Sequence, residues 1–297
     1  MLPSLPDIML EPLVRAGLLE DLGRGGDLTT NAVIGPEDRL RVVMRSREDG
    51  VLVGLDLARL SFHLIDPSLN FQRLKKEGEA LAAGDVVAVV EGSARAILTG
   101  ERVGLNFLSH LSGIATATAT IVRSMAGTKA RLCCTRKTMP GLRAIQKYAV
   151  RAGGGVSHRM GLDDAILIKD NHIALVGSVQ EAVARARAAA GHMVKIEVEV
   201  DTPEQLRALL AGEKVDAVLL DLGTEERDQR FADGGRVIDH RFQQRGELRR
   251  REQADQVRAD GKERDIAQVE QTGEADHDVQ AEREHDVQQR DVDDAHP

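Results

Sequence analysis

Nine cations stand within residues 133–173, CCTRKTMPGLRAIQKYAVRAGGGVSHRMGLDDAILIKDNHI: Arg136, Lys137, Arg143, Lys147, Arg151, His158, Arg159, Lys169 and His172. Guanidinium forks hold carboxylates and phosphates through paired hydrogen bonds, so a stretch of this kind serves the capture of an anion. Carboxylates follow. Glu197 and Glu199 lie two residues apart in an apolar alternation over 194–200, and Asp221 closes the apolar run 215–220. Separated carboxylates hold Mg²⁺ or accept hydrogen bonds from sugar hydroxyls. An anionic small molecule beside a Mg²⁺-bound phosphorylated sugar would use both groups of residues. Not every cation belongs to such a site: Arg143, Lys147 and Arg151 recur every four residues, the spacing of a solvated helix face.

Regular β-α alternation must position these groups. Strand 130–134 precedes helix 141–152, strand 165–168 precedes helix 178–190, and strand 194–200 precedes helix 203–210, capped by Asp201 or Thr202 with Pro203 in its first turn. Strand 215–220 ends the series. Apolar strands in β-α units imply a parallel sheet covered by helices, which binds ligands at the carboxyl ends of its strands. Those ends deliver Thr135, Arg136 and Lys137, then Lys169, Asp170, Asn171 and His172, then Glu199, then Asp221. The preceding portion lacks this alternation. A helix over 7–22, a loop over 23–30 (GRGGDLTT), strands over 39–45, 50–53 and 71–75, a helix over 56–65 and a hairpin over 84–98 turning at Glu91-Gly92-Ser93 make an α+β unit. A helix opening at Thr99 and continuing past Gly113 carries Arg102 and Asn106 one turn apart, where periodicity alone makes Arg102 a solvated cation.

Composition excludes several classes. The chain has 297 residues, no Trp, one Tyr and five Phe, so its core is aliphatic. The apolar runs read as too short to span a bilayer, and the opening residues lack the basic-then-apolar order of a signal peptide. The two cysteines, Cys133 and Cys134, are sequence neighbours and give no disulfide framework, so the expected compartment is a reducing cytoplasm. They offer no metal-ligand spacing either. Residues 222–297 carry 13 Lys+Arg against 21 Asp+Glu, and the remaining 221 residues carry 27 of each. A neutral body nearly free of aromatic residues speaks against nucleic-acid binding.

The segment TRKTMPGLRAIQKYAVRAGGGVSHRMGLDDAILIKDNH (135–172) resembles the signature of the quinolinate phosphoribosyltransferases. In the same order, EDLGRGGDLTT (20–30), TGERVGLNFLSHLSGIAT (99–116), KIEVEVDTPEQL (195–206) and DAVLLD (216–221) are similar to that family's other motifs. The resemblance implies an N-terminal α/β sandwich domain, here 1–112, followed by an open α/β barrel of the type II phosphoribosyltransferase kind, here 113–221. It implies transfer of phosphoribose from phosphoribosyl pyrophosphate to quinolinate with Mg²⁺, giving nicotinate mononucleotide, pyrophosphate and CO₂. Arg136, Arg159 and Lys169, with His158, match the pyridine dicarboxylate pocket, and Thr135 to Lys137 match the place of the sugar substrate's phosphates. Glu199 and Asp221 match the acidic pair serving ribose and metal; with Lys137 they are the residues expected to act in catalysis. Arg102 matches an arginine lent to a neighbouring subunit, which implies a dimer. Two rivals stand beside this reading: a related enzyme acting on another heterocyclic acid, and a non-catalytic binder of anionic metabolites.

Beyond Asp221 the resemblance stops. Residues 222–297 are about a quarter apolar, contain no Ser and one Lys (Lys262), and match a composition that stays unfolded. The family's further barrel strands and its Ser-Gly-Gly phosphate loop are missing there. An acidic tail and a metal-binding tail using His277, His285 and His296 are two explanations. A shifted reading frame in the determined sequence of a GC-rich gene accounts for the abrupt switch and the missing strands together, and re-sequencing the codons for residues 220–223 tests it.

Overall fold

The computed structural model describes residues 3–212, 214–221, 237–239 and 267–271. Helices α1 (Asp7–Leu22) and α2 (Leu28–Val33) lead into strands β1 (Arg39–Ser46) and β2 (Gly50–Val51). Helix α3 (Leu55–His63), strands β3 (Asn70–Arg73), β4 (Ala80–Leu81) and β5 (Val86–Ser93), and the long helix α4 (Ala94–Ser124) complete the first portion. The β/α portion follows as α5 (Arg143–Ala152), β6 (Ile166–Ile168), α6 (Asp170–Val176), α7 (Val179–Ala189), β7 (Ile196–Val200), α8 (Pro203–Leu210) and β8 (Ala217–Leu220). Two further strands, β9 (Val237–Asp239) and β10 (Ala267–Gln271), lie within the stretch whose composition predicts no folded structure. The expectations for the rest of 222–297, the histidines included, fall outside the described residues.

The first sheet is antiparallel in the order β10-β1-β5-β3, and the second is parallel in the order β6-β7-β8-β9. Val42, Met44, Val87, Ala88 and Val90 from the antiparallel sheet bury against Leu55, Ala58 and Phe62 of α3 and Ile97 of α4. Ile196, Val198 and Val200 of β7 bury against Val179 and Val183 of α7 and Leu206 and Leu209 of α8. Alternation sends Glu197 and Glu199 to the opposite face of β7. The parallel ladder continues one strand beyond Asp221, with Leu220 opposite Asp239.

Several expectations are overturned. No hairpin turns at Glu91-Gly92-Ser93: β5 runs through them and Ser93 Oγ accepts the Ala96 N–H at 3.4 Å, so the chain passes straight into α4. That helix therefore opens five residues before Thr99. The glycine-rich loop holds α2, whose N-cap Asp27 accepts the Thr30 N–H at 2.9 Å and the Thr99 hydroxyl at 3.1 Å. Those bonds keep the Asp27 carboxyl below its usual range. Residues 130–134 are not a strand: their pairing is one parallel bridge, Cys133 with Val156. The bend from Thr135 to Pro140 and the glycines at 153–155 leave no length for a longer ladder.

Among the described residues α4 is the one helix long and apolar enough to cross a membrane, contrary to the reading of the sequence. Its contacts make it a core helix instead, because Ile97, Leu105 and Leu108 enter one apolar cluster and Val103, Leu111 and Ala115 enter the next. Helix α5 docks on α4 through Gly153. A Cβ added there would lie 2.3 Å from the Ala115 carbonyl oxygen and 2.7 Å from Thr118 Cβ, closer than packed atoms approach. Gly153→Ala is expected to cost about 1–3 kcal/mol, the range for overpacking against a rigid neighbour. A denaturant midpoint equal to that of the wild type would show that α4 and α5 are not in contact there.

Candidate active site

The cationic half of the site is built from a crossing of two loops. Cys134 N–H donates to Val156 O at 3.0 Å, and Val156 N–H donates to Leu132 O at 2.8 Å. This short pairing sets Thr135-Arg136 beside His158-Arg159. Thr135 Oγ1 accepts the Lys137 N–H at 3.1 Å, and Arg136 O accepts the Thr138 N–H at 2.9 Å, so the backbone turns back on itself. Lys137 is exposed on that turn.

Arg136 and Arg159 are like charges near enough for the first to repel the second. The Nε of each is buried and has no hydrogen-bond partner. Arg159 Nη1 donates to Ala165 O at 3.0 Å. Burial, and then the neighbouring Arg136 guanidinium, pull the Arg159 pKa below its usual value. Buried donors without partners are rare because each forfeits its hydration, so two of them on neighbouring like-charged guanidiniums mark a place shaped for an anion.

The acidic half comes from the ends of β7 and β8. Glu197 Oε2 stands 2.7 Å from His158 Nε2, with both side chains nearly buried. A carboxylate can only accept, so Nε2 carries the proton of that bond. Glu199 Oε2 lies 3.0 Å from Lys169 Nζ, an ion-pair contact outside hydrogen-bond geometry. Lys169 closes β6 and opens α6, where its N–H donates to His172 Nδ1 at 2.9 Å. The Asp221 N–H donates to Val200 O at 3.0 Å, which sets the end of β8 level with the end of β7.

Asp201 completes this group, a role the sequence reading gave only to a helix cap. The cap of α8 is Thr202, whose Oγ1 accepts the Gln205 N–H at 3.1 Å. One oxygen from each of Glu199, Asp201 and Asp221 lies within 4.8 Å of the others. Burial, then repulsion from Asp170, Glu199 and Asp221, hold the Asp201 carboxyl above its usual range. Three converging carboxylate oxygens are the hard donor set that suits Mg²⁺, so these residues fit such an ion. The signal was available: the two-residue spacing of Glu197 and Glu199 reaches Asp201 one step past the strand end. The cluster overturns the expectation that no metal-ligand spacing is present.

Lys147 reverses another expectation. It does not lie on a wet helix face; it is 2% exposed, and its ammonium donates to the carbonyls of His158 and Arg159. Arg143 donates to the Met160 carbonyl at 3.0 Å, while Arg151 is exposed. Gln146, beside Lys147, accepts the Met139 N–H at 3.0 Å and stands 3.0 Å from His110 Nε2 on α4. Arg102 and Asn106 are both exposed on α4.

An antiparallel sheet packed on helices, a parallel β/α unit, and loops and strand ends that offer guanidiniums to an anion and carboxylates to a cation make an α/β protein with a site for charged small molecules. Comparison with known proteins places it more narrowly. The family pattern described as quinolinate phosphoribosyl transferase, N-terminal domain, matches residues 27–112, and its C-terminal domain matches residues 114–242. The nicotinate-nucleotide pyrophosphorylase (carboxylating) of Mycobacterium leprae is 47% identical over 210 residues, 70% of this chain and 73% of that protein. The crystal structure of NadC from Streptococcus pyogenes superposes with a TM-score of 0.71 at 42% identity, covering 76% of this chain and 80% of that one. The nicotinate-nucleotide pyrophosphorylase from Francisella tularensis superposes with a TM-score of 0.70 at 36% identity, covering 74% and 77%. The chain belongs to the quinolinate phosphoribosyltransferase family.

Proposed function

We propose that this protein transfers the phosphoribosyl group of phosphoribosyl pyrophosphate to quinolinate, releasing pyrophosphate and CO₂ and forming nicotinate mononucleotide for NAD biosynthesis. The observation that carries this reading is the pair of buried, unpartnered Nε groups on Arg136 and Arg159, in a chain whose β7 and β8 strands end in the converging carboxylates of Glu199, Asp201 and Asp221. Two neighbouring guanidiniums suit a dicarboxylate better than a single acid group. His158, held by Glu197, and Lys169, held by Glu199, flank that pair. Thr135, Arg136 and Lys137 form the turn that would take phosphate oxygens.

The chemistry follows from charge. As pyrophosphate leaves C1 of the ribose, positive charge develops on the sugar, and the carboxylates of Glu199 and Asp221 would stabilise it. The pyridine nitrogen supplies the electron pair for the new bond to C1. The ring is then cationic and accepts the electron pair released when the adjacent carboxylate departs as CO₂; that carbon takes a proton. Bound by Glu199, Asp201 and Asp221, Mg²⁺ would neutralise the pyrophosphate and hold it with the ribose. Arg102, exposed on α4, is assigned to the active site of a second copy, which makes a dimer the working unit. The cytoplasm is the expected compartment, in keeping with the free thiols of Cys133 and Cys134.

Incubating the full chain with quinolinate, phosphoribosyl pyrophosphate and Mg²⁺ is expected to release CO₂ and pyrophosphate in equal amounts. Nicotinate, which lacks the second carboxylate, should give neither. Turnover of another heterocyclic acid without quinolinate turnover would replace the substrate. No turnover of any acid would leave a binder in place of an enzyme.

A further inference from the structure

Lys147 is 2% exposed; the Asp164 carboxyl, which burial raises and the N–H groups of Met160 and Gly161 lower, also feels its charge without forming an ion pair. An ammonium has three N–H donors, and its contacts to Arg159 O at 2.8 Å, His158 O at 2.9 Å and Cys134 Sγ at 3.2 Å use all three. Among the described residues no carboxylate is ion-paired with it. Burying a cation is costly unless its surroundings answer it, so a neutral side chain of similar length would serve a purely apolar role better.

The position of those contacts gives the charge a use. Cys134 stands two residues before Arg136, and the two carbonyls belong to His158 and Arg159 themselves. Beyond the Cys133–Val156 bridge the two loops are no longer joined by backbone hydrogen bonds to each other, and the ammonium spans them at that point. From the gripped pair the side chains diverge, His158 to Glu197 and Arg159 to the Ala165 carbonyl. Arg143, one turn earlier on α5, clamps the next carbonyl, Met160 O. The face of α5 thus fixes the backbone from which the anion-binding side chains project.

We propose that Lys147 is a positioning residue for the anion pocket, fixing His158 and Arg159 against the loop that carries Arg136 by the three contacts of its buried ammonium. This rests on the reading of that pocket as the quinolinate site. Lys147 itself does not touch the substrate, because its three donors are spent on protein acceptors. Its loss should therefore loosen the dicarboxylate and leave the carboxylate side of the site in place.

The test is calorimetric titration of quinolinate into wild type and Lys147→Met, with thermal unfolding to establish that both are folded. The variant is expected to bind quinolinate about 10- to 100-fold more weakly, the range for groups that orient a site's ligands. Its affinity for phosphoribosyl pyrophosphate, which meets the gripped loop only through the Thr135–Lys137 turn, should fall less, by about threefold at most, or about 0.65 kcal/mol on the usual affinity scale. Equal quinolinate affinity in a folded variant, or equal weakening of both substrates, overturns the proposal. Should Lys147→Met not fold, Lys147→Gln, which keeps two N–H donors, is judged by the same criteria; failure of both to fold makes Lys147 a stability residue only and also overturns it. Wild type is the control for the parent reading: if it binds no quinolinate, the substrate assignment fails, whereas binding unaffected by the variant removes only Lys147.

Discussion

Arg159→Ala is expected to raise the quinolinate KM by roughly 10- to 100-fold, the equivalent of the 1.5–3 kcal/mol that a hydrogen bond to a charged group contributes. The reasoning starts from the site without ligand. The Arg159 Nε has no partner, and its pKa is depressed by burial and then by the Arg136 charge, so the protonated guanidinium is held at a disadvantage. A dicarboxylate removes the disadvantage by supplying an acceptor and an opposite charge together. Deleting Arg159 should therefore harm binding while leaving stability almost unchanged, because the repulsion from Arg136 disappears with it. The lost bond to Ala165 O offsets part of that relief. Arg159→Lys should recover little, since an ammonium keeps the charge without the planar fork. Kinetics with quinolinate varied at saturating phosphoribosyl pyrophosphate, alongside a denaturation curve, measure both quantities. An unchanged KM would place the dicarboxylate elsewhere; a large fall in stability would make Arg159 a structural residue.

What the sequence disclosed of this site depended on how each residue reaches it. Glu199 and Asp221 were legible because strand alternation and an abrupt apolar stop are local signals, and β7 and β8 end where those signals say. Lys169 was legible for the same reason at the end of β6. Arg136 and Arg159 are carried by loops that cross at one β-bridge, so no periodicity could pair them, and the resemblance supplied their partnership. Lys147 was misread because the period-four rule assumes that one helix face is wet. Five consecutive residues of α5, Ile145 to Ala149, are buried, so that helix has core on one side and the His158-Arg159 loop on another. The hairpin at Glu91-Gly92-Ser93 failed on a related ambiguity. Glycine beside serine is a turn signal in one context and a strand end with a helix cap in another, and only the partner of the Ser93 hydroxyl decides.

Asp221→Asn is expected to lower kcat by roughly 100-fold or more, the range for removing one fixed charge or dipole aimed at charge that develops in the transition state. The carboxylates of Glu199, Asp201 and Asp221 are close enough to repel, and burial first, then the charges of Asp170, Glu199 and Asp221, hold the Asp201 carboxyl above its usual range. For a carboxyl whose folded pKa is raised, the associated stability is full below its unfolded value near 3.8 and is lost as pH rises through the folded one. At neutral pH the cluster is therefore a source of strain that a cation relieves. Mg²⁺ should raise the melting temperature of the wild type even with no substrate present, by binding the folded state alone. Asp221→Asn should abolish most of that rise, because it removes one of three converging oxygens, and it should also melt higher than wild type when no metal is added, because it removes one of the repelling charges. The two melting experiments need no turnover, so they separate the metal from the chemistry. A Mg²⁺-induced rise that persists undiminished in Asp221→Asn would move the ion off this cluster, while a variant with full kcat would remove Asp221 from the reaction altogether.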